Sequence, residues 1–200
     1  MNEIIIIGCG GHATSIIDLV ENSEGWIIKG FIAQDGELKR ELLGYNVMGF
    51  ESDLAHISKD YKNAVIGVGQ IGSSNTRQII LKRLKPHNLL FPSIKSKFSY
   101  VSKHSQIGEG TTIGHGAIIN SNVKIGNHCI INSASLIEHD SSIGDFCHIS
   151  TGTILNGNVH IGKGSFIGSG AIIREGITIP ENSIVSAGKR IMGWPPIDQK

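Results

Sequence analysis

Residues 119–149 read INSNVKIGNHCIINSASLIEHDSSIGDFCHI, and every sixth position in them is isoleucine: Ile119, Ile125, Ile131, Ile137, Ile143 and Ile149. Stepping outward by six reaches Val101 on one side and Val185 on the other, and all fifteen positions on the way are aliphatic. Two places before them lies a small or modest side chain, among them Thr111, Ala117, Val123, Cys129, Ser135, Ser141, Cys147, Thr153, Ser165 and Ile177. Residues i and i−2 of a strand share a face, so each hexad sends one large and one small side chain inward. One hexad in three has its own chemistry, because Ile107, Ile125, Ile143 and Ile161 are followed by Gly108, Gly126, Gly144 and Gly162. Three hexads therefore make one coil, and residues 101–187 predict a triangular parallel β-helix.

This repeat accounts for a lopsided composition. The chain of 200 residues has 26 Gly and only 11 aromatics (Phe 6, Tyr 3, Trp 2). Stacked isoleucines fill a narrow prism and leave little room for rings. Charged residues are 18 % and apolar residues 40 %, which excludes a disordered chain. A net charge of +1 with scattered Lys and Arg gives no nucleic-acid surface. No apolar run approaches the roughly 20 residues of a membrane span, and Ile4–Ile7 lacks the flanks of a signal peptide. Cys9, Cys129 and Cys147 are then reduced thiols of a cytoplasmic protein. Nine histidines invite a metal, but none has metal-ligand spacing, so no metal is expected.

Upstream of the repeat the period is that of a β/α unit. Ile4-Ile5-Ile6-Ile7 reads as a buried strand, followed by Gly8-Cys9-Gly10-Gly11-His12-Ala13 and an amphipathic helix over Thr14–Val20. This is a G-x-G-x-x-A turn in the strand-to-helix context it requires. A second strand spans about 26–32 and ends near Asp35. A third, 64–69, precedes a helix over 75–85 that Pro86 closes. Three strands and two or three helices form half of a Rossmann-like doubly wound sheet. Half a sheet lacks the second crevice of a dinucleotide site and suits one nucleotide-linked group, its phosphates at the helix start. Asp35 stands where an acidic residue meets a sugar hydroxyl, or where Gln34-Asp35-Gly36 makes a turn. The expected organisation is an α/β domain over 1–93 that binds one nucleotide-linked group, then an all-β helix and tail over 94–200.

On the predicted helix, Asn132 to Asp140 is the informative segment. With Ile137 inward, His139 falls on a turn and projects outward between Glu138 and Asp140, while its equivalents one coil away, Ser121 and Gly157, leave space. Neutral imidazole is the usual general base near neutral pH, with a carboxylate on its other nitrogen to fix the tautomer. A solvated polar turn is the plain alternative.

The repeat resembles the hexapeptide acyltransferases, which implies a left-handed helix. The whole chain resembles bacterial sugar O- and N-acetyltransferases that join a nucleotide-sugar-binding β/α domain to such a helix. The matching features are Gly8 to His12, the Asn132–Asp140 stretch, and a closing Gly193-Trp194-Pro195-Pro196 that departs from Gly-x-Pro-Ala-Lys by losing the basic residue. The resemblance implies that His139 is the general base, modulated by Asp140 or Glu138, with Asn132 positioning the reacting groups. It implies that Gly10, Gly11, His12, Asp35 and Gly69 hold the nucleotide sugar, and that His148, Gly157, Ser169 and Ala187 line an acetyl-CoA groove. It also implies a homotrimer with substrates between adjacent helices and a role in surface glycan synthesis. The expected reaction is acetyl transfer from acetyl-CoA to the amine of a UDP-linked 4-amino sugar by direct attack; the alternatives are O-acetylation of a sialic acid, a dinucleotide-dependent enzyme, and a non-catalytic scaffold.

Overall fold

A computed structural model describes residues 1–36 and 41–195. Pro196, the last residue of the closing motif, lies outside the described residues. Two compact units emerge: residues 1–69 with 75–97, and residues 70–74 with 98 onward.

The first unit is a five-stranded sheet among the described residues, built from β1 (Asn2–Ile7), β2 (Trp26–Ala33), β3 (Glu41–Leu42), β4 (Tyr45–Phe50) and β5 (Asn63–Ile66). Its order is β3-β4-β2-β1-β5, parallel throughout except for the β3–β4 hairpin. The four isoleucines of β1 are buried on both sides. Ile4 and Ile6 pack with Ala13, Ile16, Ile17 and Val20 of α1 (Gly11–Glu21). Ile5 and Ile7 pack with Leu54 and Ile57 of α2 (Leu54–Asp60) and with Ile80 and Leu84 of α3 (Asn75–Leu84). Helices on both faces explain why β1 reads as a continuous apolar run instead of an alternation.

The expectation of three strands is corrected here. β4 is a half-buried strand near the sheet edge, in which Asn46 and Gly49 interrupt the apolar alternation, so its sequence carries no clear strand period. The strand expected over 64–69 ends at Ile66 because the chain turns away through Gly67-Val68-Gly69.

The second unit is the predicted prism. Two-residue strands stack in register every eighteen residues on three faces. The first face carries Tyr100–Val101, Ile118–Ile119, Leu136–Ile137, Ile154–Leu155, Ile172–Ile173 and Arg190–Ile191. The second carries Gln106–Ile107 through Thr178–Ile179, and the third Thr112–Ile113 through Ile184–Val185. Ile113, Ile119, Ile131, Ile137, Ile149, Leu155, Ile167 and Ile173 are at most 1 % exposed and form one continuous core. Each such residue contributes about 1.5–3 kcal/mol by leaving water.

The small inward column does more than save space. Thr111 Oγ1 donates to the Gly126 carbonyl (2.8 Å), Thr153 Oγ1 to Gly168 (3.1 Å) and Ser165 Oγ to Pro180 (3.0 Å), each fifteen residues on. Cys129 and Cys147 repeat the pattern with their thiols, to Gly144 and Gly162 (both 3.1 Å). Where the short side chain carries a donor it satisfies a carbonyl of the next coil; at Ala117, Val123, Val159 and Ala171 the column is simply apolar. Burial pushes the Cys129 thiol well above its usual range, which keeps it protonated and unreactive. The glycine after the isoleucine has a separate cause: a Cβ on Gly126 would stand 2.7 Å from the Asp145 backbone nitrogen.

Candidate active site

In the first unit, the chain order reverses at β1, since β2 lies on one side of it and β5 on the other. In such sheets the crevice outside the carboxyl ends of the strands at this switch point is the ligand position. The loops after β1 and β5 flank it. A Cβ on Gly69 would lie 3.2 Å from His12 Cβ, whereas one on Gly10 or Gly11 would meet nothing within 4 Å. Gly10 is the N-cap of α1, without a side-chain cap, and the first turn has no acidic residue. The helix start therefore keeps its partial positive charge and approachable N–H groups. Asp35 follows the end of the neighbouring β2 and accepts a hydrogen bond from Ser52 Oγ (2.7 Å). Gly10, Gly11, His12, Gly69 and Asp35 thus share one edge of one sheet, and Ser52 joins them without a sequence signal.

In the second unit, His139 sits on the corner between the first and second faces. Its side chain is 64 % exposed. The ring lies over Gly157: a Cβ there would stand 2.8 Å from Cε1 and 2.9 Å from Nε2. Beyond it opens a groove of about 560 Å³ lined by Glu138, His139, Asn156, Gly157, Asn158, Glu175 and Gly176.

The structure separates the two carboxylates. Asp140 Oδ2 lies 2.8 Å from His139 Nδ1, while its Oδ1 accepts from Asn122 Nδ2 at 2.7 Å. Glu138 turns to the preceding coil and accepts from Asn120 Nδ2 at 2.8 Å. The Asn122 amide, and next the His139 hydrogen bond, hold the Asp140 carboxyl below its ordinary value. An ionised carboxylate only accepts, so His139 Nδ1 carries the proton it shares with Asp140. In the neutral ring Nε2 then carries the lone pair, which is the arrangement a general base requires.

The remaining expected residues lie elsewhere on the prism. Asn132, Ser169 and Ala187 occupy the corner between the third and first faces. Asn132 Oδ1 accepts from the Ser133 backbone (2.8 Å), and its Nδ2 lies 3.5 Å from His148 Nε2. Ser169 shares a hydroxyl hydrogen bond with Ser150 (2.8 Å). His148 points out from the third face yet is buried, its Nδ1 donating to the Gln70 carbonyl and its ring edge-on to Phe166. Gln70 in turn donates to the Phe146 carbonyl (2.9 Å). His139, Asp140, Glu138 and Gly157 are thus one cluster; Asn132 with His148, and Ser169 with Ala187, belong to another part of the prism. Asn120, Asn122, Glu175 and Gln70 were not among the expected residues. The two asparagines had a signal, since each stands eighteen residues before the carboxylate it binds.

Among the described residues, no group of three or more His, Cys, Asp or Glu is placed to hold a metal ion, and no helix is long and apolar enough to cross a membrane.

Comparison with known proteins matches both halves. The family described as PglD N-terminal domain matches residues 3–84. The family described as bacterial transferase hexapeptide (six repeats) matches residues 104–139 and 140–175. No curated protein sequence matches the chain. Among solved structures, a mutant of perosamine N-acetyltransferase from Caulobacter crescentus, in complex with CoA and GDP-perosamine, is 27 % identical. The match covers 96 % of this chain and 89 % of that one, with a TM-score of 0.88. WeeI from Acinetobacter baumannii is 25 % identical over 98 % of this chain and 99 % of its own, with a TM-score of 0.73. The acetyltransferase domain of PglB from Neisseria gonorrhoeae, in complex with acetyl coenzyme A, shares the fold at 22 % identity over 100 % of both chains, with a TM-score of 0.79.

Proposed function

The chain belongs to the bacterial sugar acetyltransferases that join a PglD N-terminal domain to transferase hexapeptide repeats, and from that premise we propose that it moves acetyl from acetyl-CoA to the amine of a nucleotide-linked 4-amino sugar. The observation that carries this reading is the His139–Asp140 pair seated over Gly157 at the mouth of the groove. His139 Nε2 takes the proton that the sugar nitrogen sheds as it attacks the thioester carbonyl, and Asp140 stabilises the imidazolium that results. The C–N bond forms as the C–S bond breaks, and the thiolate leaves as CoA. No acetyl-enzyme is required, and the buried thiols of Cys129 and Cys147 are out of reach of a substrate.

The α1 start with Gly10, Gly11 and His12 takes the nucleotide phosphates, Gly69 closes the crevice, and Asp35, steadied by Ser52, takes a hydroxyl. The Caulobacter relative holds GDP-perosamine, whereas the sequence resemblance implied a UDP sugar, so both nucleotides belong in the test. A thiol-release assay with acetyl-CoA and a panel of UDP- and GDP-linked 4-amino sugars and free sialic acids decides it. Turnover of an amino sugar and none of the sialic acids is expected; preference for a sialic acid, or no thiol release with any acceptor, overturns the assignment. The pathway is bacterial surface glycan synthesis in the cytoplasm, where thiols such as Cys129 and Cys147 stay reduced.

We further propose a homotrimer. The first face presents Tyr100, Ile118, Leu136, Ile154 and Ile172 outward, and Tyr100 and Ile118 are 58 % and 41 % exposed. A row of outward apolar side chains is a partner surface. His139 borders one edge of this face, and Ser169 and Ala187 border the other. Packing of copies through it sets the donor edge of one beside the base of the next. Sedimentation at three times the chain mass is the expected result; a monomer active at high dilution removes the proposal.

A further inference from the structure

We propose that Asn120 and Asn122, one coil before the imidazole, are positioning residues that decide which carboxylate orients His139. The inference rests on the reading of His139 as the base. Glu138 and Asp140 flank the histidine on either side, and glutamate has the longer reach. The structure nevertheless pairs the imidazole with aspartate.

The strand register supplies the reason. Ile118 pairs with Leu136 and Lys124 with Ser142, so the corner 120–123 lies directly against the corner 138–141. Asn120 is thereby fixed beside Glu138, and Asn122 beside Asp140. Asn120 Nδ2 draws Glu138 Oε2 back along the prism. Asn122 Nδ2 takes Asp140 Oδ1, which leaves Oδ2 to face Nδ1. The backbone reinforces the second pair: Asn122 (φ 61°) and Asp140 (φ 62°) are both left-handed, a conformation that Asn and Asp tolerate better than most residues. Asp140 N also donates to the Ser121 carbonyl (3.2 Å). A short carboxylate anchored at both oxygens has one useful rotamer, and it holds the ring in one tautomer. The other carboxylate lining the groove beside His139 and Glu138 is Glu175.

Asn122→Gly tests this cleanly, because glycine keeps the left-handed conformation and removes only the amide. The expected result is a fall in kcat of about tenfold, the scale of one oriented hydrogen bond, with KM for both substrates unchanged. The Asp140 carboxyl, followed by NMR, titrates higher than in the parent protein, which loss of a purely structural contact elsewhere would not produce. On an Asp140→Asn background the same substitution adds nothing. Asn122→Asp, which sets a second carboxylate against the first, costs more than Asn122→Gly. Wild-type kcat and an unmoved Asp140 titration in Asn122→Gly overturn the inference while His139→Ala is inactive; an active His139→Ala overturns the underlying assignment of the base instead.

Discussion

His139→Ala is expected to lower kcat by roughly 10²- to 10⁴-fold, the usual contribution of a positioned proton acceptor, and to leave the thermal transition within about 0.5 kcal/mol of the parent. The two halves of this expectation come from one fact of geometry. The imidazole stands outside the prism with its side chain 64 % exposed, so removing it takes nothing from the isoleucine core. On the proposed mechanism what disappears is the acceptor for the amine proton, and no neighbour replaces it: Asp140 is tied to Asn122 and Glu138 to Asn120. Initial rates with saturating amino sugar, set beside a melting curve, check both parts. Residual activity within tenfold of the parent removes His139 from the chemistry.

The pH response of the supporting carboxylate has a definite sign. Asp140 is held below its ordinary value by the Asn122 amide and then by His139. A depressed carboxyl stabilises the folded state above its unfolded value, about 3.9, and that contribution is lost as pH falls through the folded pKa. Asp140 therefore stays anionic on approach to that range, and loss of activity in mildly acidic solution does not arise from its protonation.

Gly157→Ala is the second large effect, a loss of about 100-fold in kcat with little change in stability. Gly157 does not have the positive φ of the left-handed turn positions, so alanine suits its backbone. The new methyl group would stand 2.8–2.9 Å from Cε1 and Nε2 of His139, closer than carbon and nitrogen pack, and the exposed ring is what gives way. Displacing a reacting group by about 1 Å costs on that scale. The informative comparison is kcat against melting temperature: a protein that melts like the parent and turns over like it shows that the ring position is not critical.

Much of this was legible beforehand because a β-helix states its fold in a period. Fifteen aliphatic residues at steps of six gave the inward column, and steps of eighteen put Ser121 and Gly157 on either side of His139. The same arithmetic left two matters open. The partner of His139 could not be read from Glu138-His139-Asp140, since the choice depends on Asn120 and Asn122 in another coil. The burial of His148 depends on the Gln70 carbonyl, from a short segment far upstream with no periodicity of its own. In the first unit, β1 was legible from four isoleucines, whereas β4 was not, because its half-buried residues need no strict alternation.

The constant register of the prism also limits how such a chain can change by descent. Asn120 with Glu138, Asn122 with Asp140 and His139 with Gly157 are all neighbours across a single step of eighteen. One inserted residue between positions 122 and 138 would separate both asparagines from their carboxylates, and one between 140 and 157 would separate His139 from Gly157, in each case putting the inward column beyond it out of phase. A whole coil added or removed beyond this corner leaves them intact. The heritable unit of length in this half of the molecule is therefore the coil, and lineages should differ in how many they carry before they differ in the size of any one.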